Sequence, residues 1–463
     1  MTARIRTALR RGLRRGGPWL VCLLLAAGPA AAGPAPAVPA GGKLTLEQAI
    51  ELTLAYHPAR QATDAERQAA LERVGVARSA LLPQVYGTAQ YLRATDNGIG
   101  DTSTLPALGV PRAPTVGRNQ NQLTDTFDNY LAGVSAFQYL FDFGRTRGLI
   151  SERSAEADAE HARLQLLDLD LVYATSARYY DLLAAQELVK VYEQAVTQRE
   201  ERLQEVQVKA KAGLKPEIDT YTAQAELARA QLHLVDARAA SEIAKAALDN
   251  AMGLGTKAPE YQPADTFAAE QISDPLDTYL KHAFDQRPDL QMLEDEARAA
   301  GARIREFRSD YLPTVGAAAG YNVRGQDSTP GNNYYAGLVI SWPIFNGFRT
   351  DHEVAEARLH QQAAEHTIED MRQRITLQVQ RSYLSWKASL ERIRKAWQTL
   401  AASQVELTLA TRRYEMGLGN IIELTEAQRR FTEDGARYVK ARADASIAKA
   451  ALDRDSGSPT PRS

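Results

Sequence analysis

The chain has 463 residues with 55 basic and 57 acidic side chains, a formal charge of −2, and one cysteine. That balance leaves no basic footprint for a nucleic-acid partner, and a single thiol excludes a disulfide framework. Alanine, arginine, glutamine, glutamate and leucine crowd residues 142–252 and 346–454, the composition of long helices and coiled coils rather than of an ordinary globular enzyme.

Residues 1–32 read as a secretory signal. Arg4, Arg6, Arg10, Arg11, Arg14 and Arg15 form a basic start, Trp19 to Ala27 a short apolar run, and Ala30-Ala31-Ala32 a small-residue cleavage site. Cleavage removes six of the 55 basic residues and no acidic one, leaving 49 against 57, a formal charge of −8. Cys22 lies in the apolar run behind Leu20-Val21, without the small residue a lipidation site prefers, so neither a thiol nor a lipid anchor is expected afterwards. Beyond the signal no run of about 18 apolar residues occurs, so any membrane span has to be built from strands.

The first helix opens at Thr45, which with Gln48 forms a capping-box pattern, and ends near Leu82-Pro83. The period then changes to two: Val85, Gly87, Ala89 and Tyr91 share one face, with Gln84, Thr88 and Gln90 opposite. A loop at about 94–129, rich in Asn, Asp, Thr, Gly and Pro, leads to a returning strand with Tyr130, Ala132, Val134 and Ala136 on one face. Asp142 is placed as an N-cap, and from it to Ala212 there is no proline, which allows a helix of about 100 Å. Its later half carries a seam of Val189, Tyr192, Val196, Leu203, Val206 and Ala210, broken by Arg199. Gly213-Leu214-Lys215 signals a turn and Pro216 a new helix, on which Ile218, Tyr221, Ala225, Ala228, Leu232 and Val235 are expected to continue the seam. Residues 254–273, with Pro259 and Pro263, read as a linker or equatorial belt.

From Asp274, which precedes Pro275 at an expected first helical position, the same unit is written again. At an offset of 230, His57-Pro58 falls on Arg287-Pro288 and Leu82-Pro83-Gln84-Val85 on Leu312-Pro313-Thr314-Val315. At an offset of 204, Leu140-Phe141-Asp142 falls on Ile344-Phe345-Asn346 and Ala212-Gly213-Leu214 on Met416-Gly417-Leu418, and the seven residues from Ile243 to Asp249 are identical to those from Ile447 to Asp453. The 26-residue difference between the offsets is one loop, long in the first copy and reduced to Gly325–Asn333 in the second. Strand faces recur as Val315, Ala317, Ala319 and Tyr321, against Asn322 and Arg324, then as Tyr334, Ala336, Leu338, Ile340 and Trp342. Asn346 takes the second N-cap, and the seam recurs as Ile393, Ala396, Leu400, Leu407, Ala410 and Tyr414 with a break at Ser403. The expected organisation is a first repeat over 44–255, the linker 254–273, a second repeat over 274–455 and a disordered tail over 456–463.

The fold class expected is mainly α with short β: long coiled-coil helical hairpins plus four strands of about nine to eleven residues, the length of tilted membrane strands. Strand pattern alone also fits a soluble hairpin packed on the helices. In lipid, four strands cannot close a barrel, so several chains would have to share one. Tyr91, Tyr130, Tyr139, Tyr321, Tyr334 and Trp342 fall near strand ends, where membrane-interface aromatics belong.

The two Leu-Pro helix-to-strand junctions, the Leu-Phe-Asp and Ile-Phe-Asn strand-to-helix junctions and the two Gly-Leu tips, in that order and duplicated over about Leu44 to Asp453, resemble the TolC family of outer-membrane channels. The resemblance implies a homotrimer with a shared β-barrel and a helical α-barrel reaching into the periplasm, embedded in outer-membrane lipid. It implies a periplasmic adaptor and an inner-membrane pump, proton-driven or ABC type, as partners in efflux or type I secretion. It also implies a pore-entrance acidic ring at Glu423 and Glu426, adaptor-docking tips at Gly213, Leu214, Gly417 and Leu418, and an entrance latch at Asp219. The arginine that such a latch uses is replaced by Gly419, which leaves Lys215 as the candidate substitute. Asn420 with Glu423 is equally a capping box.

A periplasmic coiled-coil scaffold or adaptor without a pore is the rival reading, and would fractionate as soluble. An enzyme finds no support: no nucleophile motif or phosphate loop occurs, and His352, His360 and His366 lack metal-ligand spacing, so no metal or cofactor is expected. The exported substrate is not written in the sequence.

Overall fold

The computed structural model describes residues 42–95, 126–255, 258, 260–267, 274–326 and 329–458. The expected signal, most of the long first-copy loop and the last five residues lie outside these.

Strand β1 (Lys43–Leu44) leads into α1 (Leu46–Tyr56), whose start carries the full reciprocal capping box of Thr45 and Gln48. The long first helix expected up to Leu82 is two helices, because His57 precedes a proline and is held extended at φ −64° and ψ 123°. The chain restarts as α2 (Pro58–Ser79) with proline in its first turn. Strands β2 (Gln84–Thr95) and β3 (Thr126–Phe141) follow, then α3 (Arg145–Lys211) and α4 (Glu217–Ala251). A two-residue β4 (Gln262–Pro263) pairs in parallel with β1. The second series is α5 (Leu276–Gln286), α6 (Pro288–Ser309), β5 (Thr314–Gln326), β6 (Thr329–Ser341), α7 (Arg349–Glu415) and α8 (Ile421–Asp455). Its helices have the lengths of the first series, namely 11, 22, 67 and 35 residues. At 1.5 Å per residue α3 and α7 each run about 100 Å.

Several local expectations change. Pro275 is the N-cap of α5 rather than its first residue, and α6 is cut from α5 at Arg287-Pro288 for the same pre-proline reason as at His57. Asp142 stands two residues before the N-cap Gly144, yet its carboxylate still accepts from the Gly144 and Thr146 amides at 3.1 and 2.8 Å. Asn346 likewise precedes the N-cap Phe348 and donates to the Thr350 hydroxyl at 2.7 Å. The strands have 12, 16, 13 and 13 residues, longer than expected, because β5 and β6 continue through most of 325–333.

The four long strands form one antiparallel sheet in the order β2-β3-β5-β6. Its register gathers the expected apolar positions: Val85, Ala136, Ala319 and Ala336 belong to one face, as do Gly87, Val134, Tyr321 and Tyr334. An extra residue between Tyr139 and Phe141 bulges β3 near its end.

Two apolar cores hold the middle of the helices. One joins Leu44, Ile50, Tyr179, Leu182, Leu248 and Met252, the other Leu290, Ile375, Val379, Trp386 and Leu452. The described part of the belt is anchored: Asp265 caps the Leu46 amide at 2.8 Å and accepts from the Tyr179 hydroxyl at 2.8 Å. The expected disordered tail is docked at its start. Gly457 takes φ +78° to end α8, the Ser456 carbonyl bonds His282 Nδ1 at 2.7 Å, and Arg287 Nη1 donates to the Asp455 carbonyl at 3.2 Å.

The seam expected on α4 is also corrected. Asp219, Ala223, Ala230, Ala237 and Leu248 are the buried positions, whereas Ile218, Tyr221, Leu232 and Val235 are exposed by 60–67%. Alanines spaced by seven let α4 lie close on α3, and the large apolar side chains then point away from the partner.

Candidate functional site: the hairpin tips and the apolar sheet

Both hairpin tips are built by a glycine that only a left-handed residue could replace. Gly213 and Gly417 stand at φ +72° and +73°. Leu214 N–H donates to the Lys209 carbonyl at 2.9 Å and Leu418 N–H to the Arg413 carbonyl at 2.8 Å, closing α3 and α7. A leucine in that position commonly packs back on its own helix, but Leu214 and Leu418 remain 72% and 68% exposed.

Between the tips lies Tyr414, with no exposed surface, in a cluster with Val206, Ala410, Ile421, Leu424 and Ala427. Its hydroxyl donates to Asp219 Oδ2 at 3.4 Å, and the Lys215 ammonium sits 4.1 Å above its ring centre. Burial, then the Asp219 charge, push the phenol up to about 12. Lys215 and Asp219 therefore do not pair with each other; both meet the second hairpin on Tyr414. In the sequence this tyrosine stands only as a seam position, and the signal of a further role is a hydroxyl at a core position, which needs a partner.

Glu423 and Glu426 lie three residues apart in the first turns of α8, on one face of the helix, but neither is a bare carboxylate. Asn420 caps the helix by accepting from the Glu423 amide at 2.8 Å. The Glu423 side chain instead bonds Arg413 at 2.9 Å, and Gly419 leaves room for it, since a Cβ there would stand 3.2 Å from Glu423 Oε2. Glu426 bonds Arg429 at 2.6 Å and Arg430 at 3.1 Å, and the Arg429 bond holds its carboxyl below the usual range. Arg430 continues to Glu406 at 3.0 Å and Arg429 to Glu433, so the tip face is a ladder of alternating charge. Arg429 and Arg430, three and four residues after Glu426, are a signal of this pairing that the sequence carries.

At the far end of α3 and α7, the apolar sheet face lies open. Tyr91 pairs across the strands with Tyr130 and bonds Asp128 at 2.9 Å. Tyr321 pairs with Tyr334, which is 84% exposed, and Trp342 continues the face with its indole N–H donating to the Tyr311 carbonyl at 3.1 Å. The Tyr130 ring lies over Gly325. Tyr139 is the exception: it follows Phe137, edge-on at 4.8 Å, on the opposite face of the sheet, because the bulge comes only after it. The opposite face carries Phe137 and Tyr335 packed over Gly316 and Gly320, beside Asn322 and Arg324. Both sheet edges, β2 and β6, have one side without a strand partner among the described residues.

Comparison with known proteins points in the same direction. The family described as outer membrane efflux protein matches residues 49–254 and 279–458. Protein CyaE of Bordetella pertussis is 26% identical over 406 residues, covering 86% of this chain and 80% of that protein. Outer membrane protein TolC of Escherichia coli strain K12 is 25% identical over 417 residues, with 83% and 78% covered. Among solved structures, the CmeC outer membrane channel of Campylobacter jejuni superposes with a TM-score of 0.75 at 16% identity over 89% of this chain and 86% of that one. The outer membrane protein VceC of Vibrio cholerae gives 0.72 at 18% identity over 89% and 96%.

Proposed function

Because the chain belongs to the outer membrane efflux protein family and is a passive outer-membrane exit duct rather than an enzyme, we propose that it works as a homotrimer. In this assembly the sheets close one shared β-barrel and the helices project into the periplasm as a second barrel. The relatives it matches include an outer membrane efflux protein, BepC, and a toluene efflux pump outer membrane protein, TtgC. That kinship supports an efflux or secretion route fed by a periplasmic adaptor and an inner-membrane pump.

The observation that carries the trimer is a pair of unfinished sides. The first is the open strand edges β2 and β6, which lipid does not tolerate. The second is the pair of outward seams, Ile218, Tyr221, Leu232 and Val235 on α4, and Val405 and Leu409 on α7 with Met416 at its C-cap. The gaps, 3, 11 and 3 residues on α4 and 4 and 7 on α7, are sums of three- and four-residue steps, so each seam keeps to one helix face, as a coiled-coil partner requires. The α4 seam of one protomer laid on the α7 seam of the next is a head-to-tail contact, which closes as a ring. Leu232→Asp with Val235→Asp should leave helix content intact and convert a detergent-solubilised trimer to monomers. A wild-type protein that is already monomeric, or a variant that stays trimeric, contradicts this reading.

Within that assembly Tyr414, Lys215 and Asp219 hold the entrance narrow, and Leu214 and Leu418 are the apolar knobs offered to the adaptor. Glu423 and Glu426 ring the opening together with Arg413, Arg429 and Arg430, so the ring is one of compensated charge rather than of bare carboxylates. The scaffold alternative, a helical protein without a pore, would have no use for the open sheet face.

A further inference from the structure

The two strand-to-helix junctions carry a feature that conduction does not require. Phe143 and Phe348 stand at φ 51° and 62°, a left-handed conformation that bulky side chains rarely adopt and that glycine takes without strain. Each sits edge-on to a second phenylalanine, Phe141 at 4.6 Å and Phe345 at 5.5 Å, and all four rings are exposed. Strain is here spent on holding aromatic rings out of the core. The charges beside them are also unusual. Helix α3 begins Arg145-Thr146-Arg147 with no acidic residue in its first turn, and α7 begins on Arg349 with Asp351 two residues on, so each helix start carries at least one cation where the dipole by itself favours anions. Helices α2 and α6 end at the same level on Arg78 and Arg308. The level is fixed by bonds between the junctions: Gln138 to the Leu81 carbonyl at 3.1 Å, Trp342 to the Tyr311 carbonyl at 3.1 Å, and Arg145 to Asp310 at 3.5 Å. Arg78, Arg147 and Arg308 are exposed and make no ion pair among the described residues.

We propose that these junctions form a collar that seats on anionic phospholipid, the phenylalanines at the acyl boundary and the arginines on the headgroup phosphates. The collar continues the apolar sheet face, since Phe141 pairs with Val315 beyond the bulge and Trp342 prolongs the line of Ile340. An apolar band bordered by unpaired cations is complementary to a lipid leaflet whose headgroups are negative. The proposal rests on the membrane placement of the strands and adds the lipid class that the periplasmic rim selects.

Trp342 is the natural probe, because Trp386 is buried, Trp19 lies in the expected signal and Trp397 can be replaced by phenylalanine. The full-length channel carrying Trp397→Phe is reconstituted in phosphatidylcholine vesicles containing equal mole fractions of brominated phosphatidylglycerol or brominated phosphatidylcholine. Brominated phosphatidylglycerol should quench Trp342 at least about twofold more strongly, a modest demand on three surface arginines. The difference should vanish in Arg78→Gln, Arg147→Gln, Arg308→Gln, and in the unsubstituted arginine background at high salt, which covers a variant that does not assemble. Equal quenching by the two lipids at low salt, or a preference that survives both treatments, overturns the collar while leaving the membrane placement standing. No quenching by either lipid overturns the placement as well.

Discussion

Tyr414 has its ring between two hairpins, its hydroxyl on a buried carboxylate and a lysine over its face. The phenol is raised above its ordinary value of 10, so the fold favours its neutral form. That contribution is present below pH 10 and disappears as pH climbs to about 12, which leaves the contact untitrated under physiological conditions. Tyr414→Phe keeps the packing, removes a hydrogen bond of about 1 kcal/mol and leaves Asp219 without its donor. Single-channel conductance should rise with helix content unchanged, and an unaltered conductance would show that the contact does not hold the entrance. A second residue titrates nearer neutrality. Glu306, on α6, is pushed up to about 7 by burial first and by Glu152 of α3 next. A carboxyl raised in this way stabilises the fold below its unfolded value of 4.5 and loses that contribution as pH rises through about 7. Glu306→Gln should therefore raise the melting temperature at pH 8 relative to wild type and change it little at pH 4; the reverse pattern would remove Glu306 as the cause. The partners of neither residue were legible in the sequence, since Tyr414 and Glu306 acquire them only when helices far apart in the chain come side by side.

At the scale of elements, periodicity found the long helices, the tips and the apolar strand faces, because each depends on neighbours a few residues away. It failed on α4, whose two stripes both satisfy the three-and-four spacing. Alanine positions 223, 230 and 237 took the inner side, and the larger residues assumed to be core were left outward. Hydrophobic size alone does not choose between a close-packed intrachain contact and a seam kept for another chain. Close approach also decides the crossing of α3 and α6. A Cβ at Gly148 would stand 2.8 Å from the Glu306 backbone nitrogen, so the helices touch main chain to main chain there. Gly148→Ala should force them apart and destabilise the protein by about 1–3 kcal/mol in chemical denaturation. A neutral result would mean that the crossing yields without cost. Nothing in the sequence marked this glycine, because its neighbour is 158 residues away.

At the scale of the whole molecule, the isolated chain is well packed in its middle and unfinished at its sides. In lipid the strand count requires shared closure, and the open edges of β2 and β6 with the outward seams are the surfaces on which the proposed trimer would close. The duplication was legible because proline, glycine and aromatic landmarks at turns survive where alanine-rich helices look alike. The most direct test of the shared duct is planar-bilayer recording of the protein purified from the outer-membrane fraction. Discrete conducting steps are expected from the trimer, larger in Tyr414→Phe and absent from the monomeric Leu232→Asp, Val235→Asp variant. A purified trimer that inserts and carries no current, or a monomer that conducts as the trimer does, would contradict the shared duct.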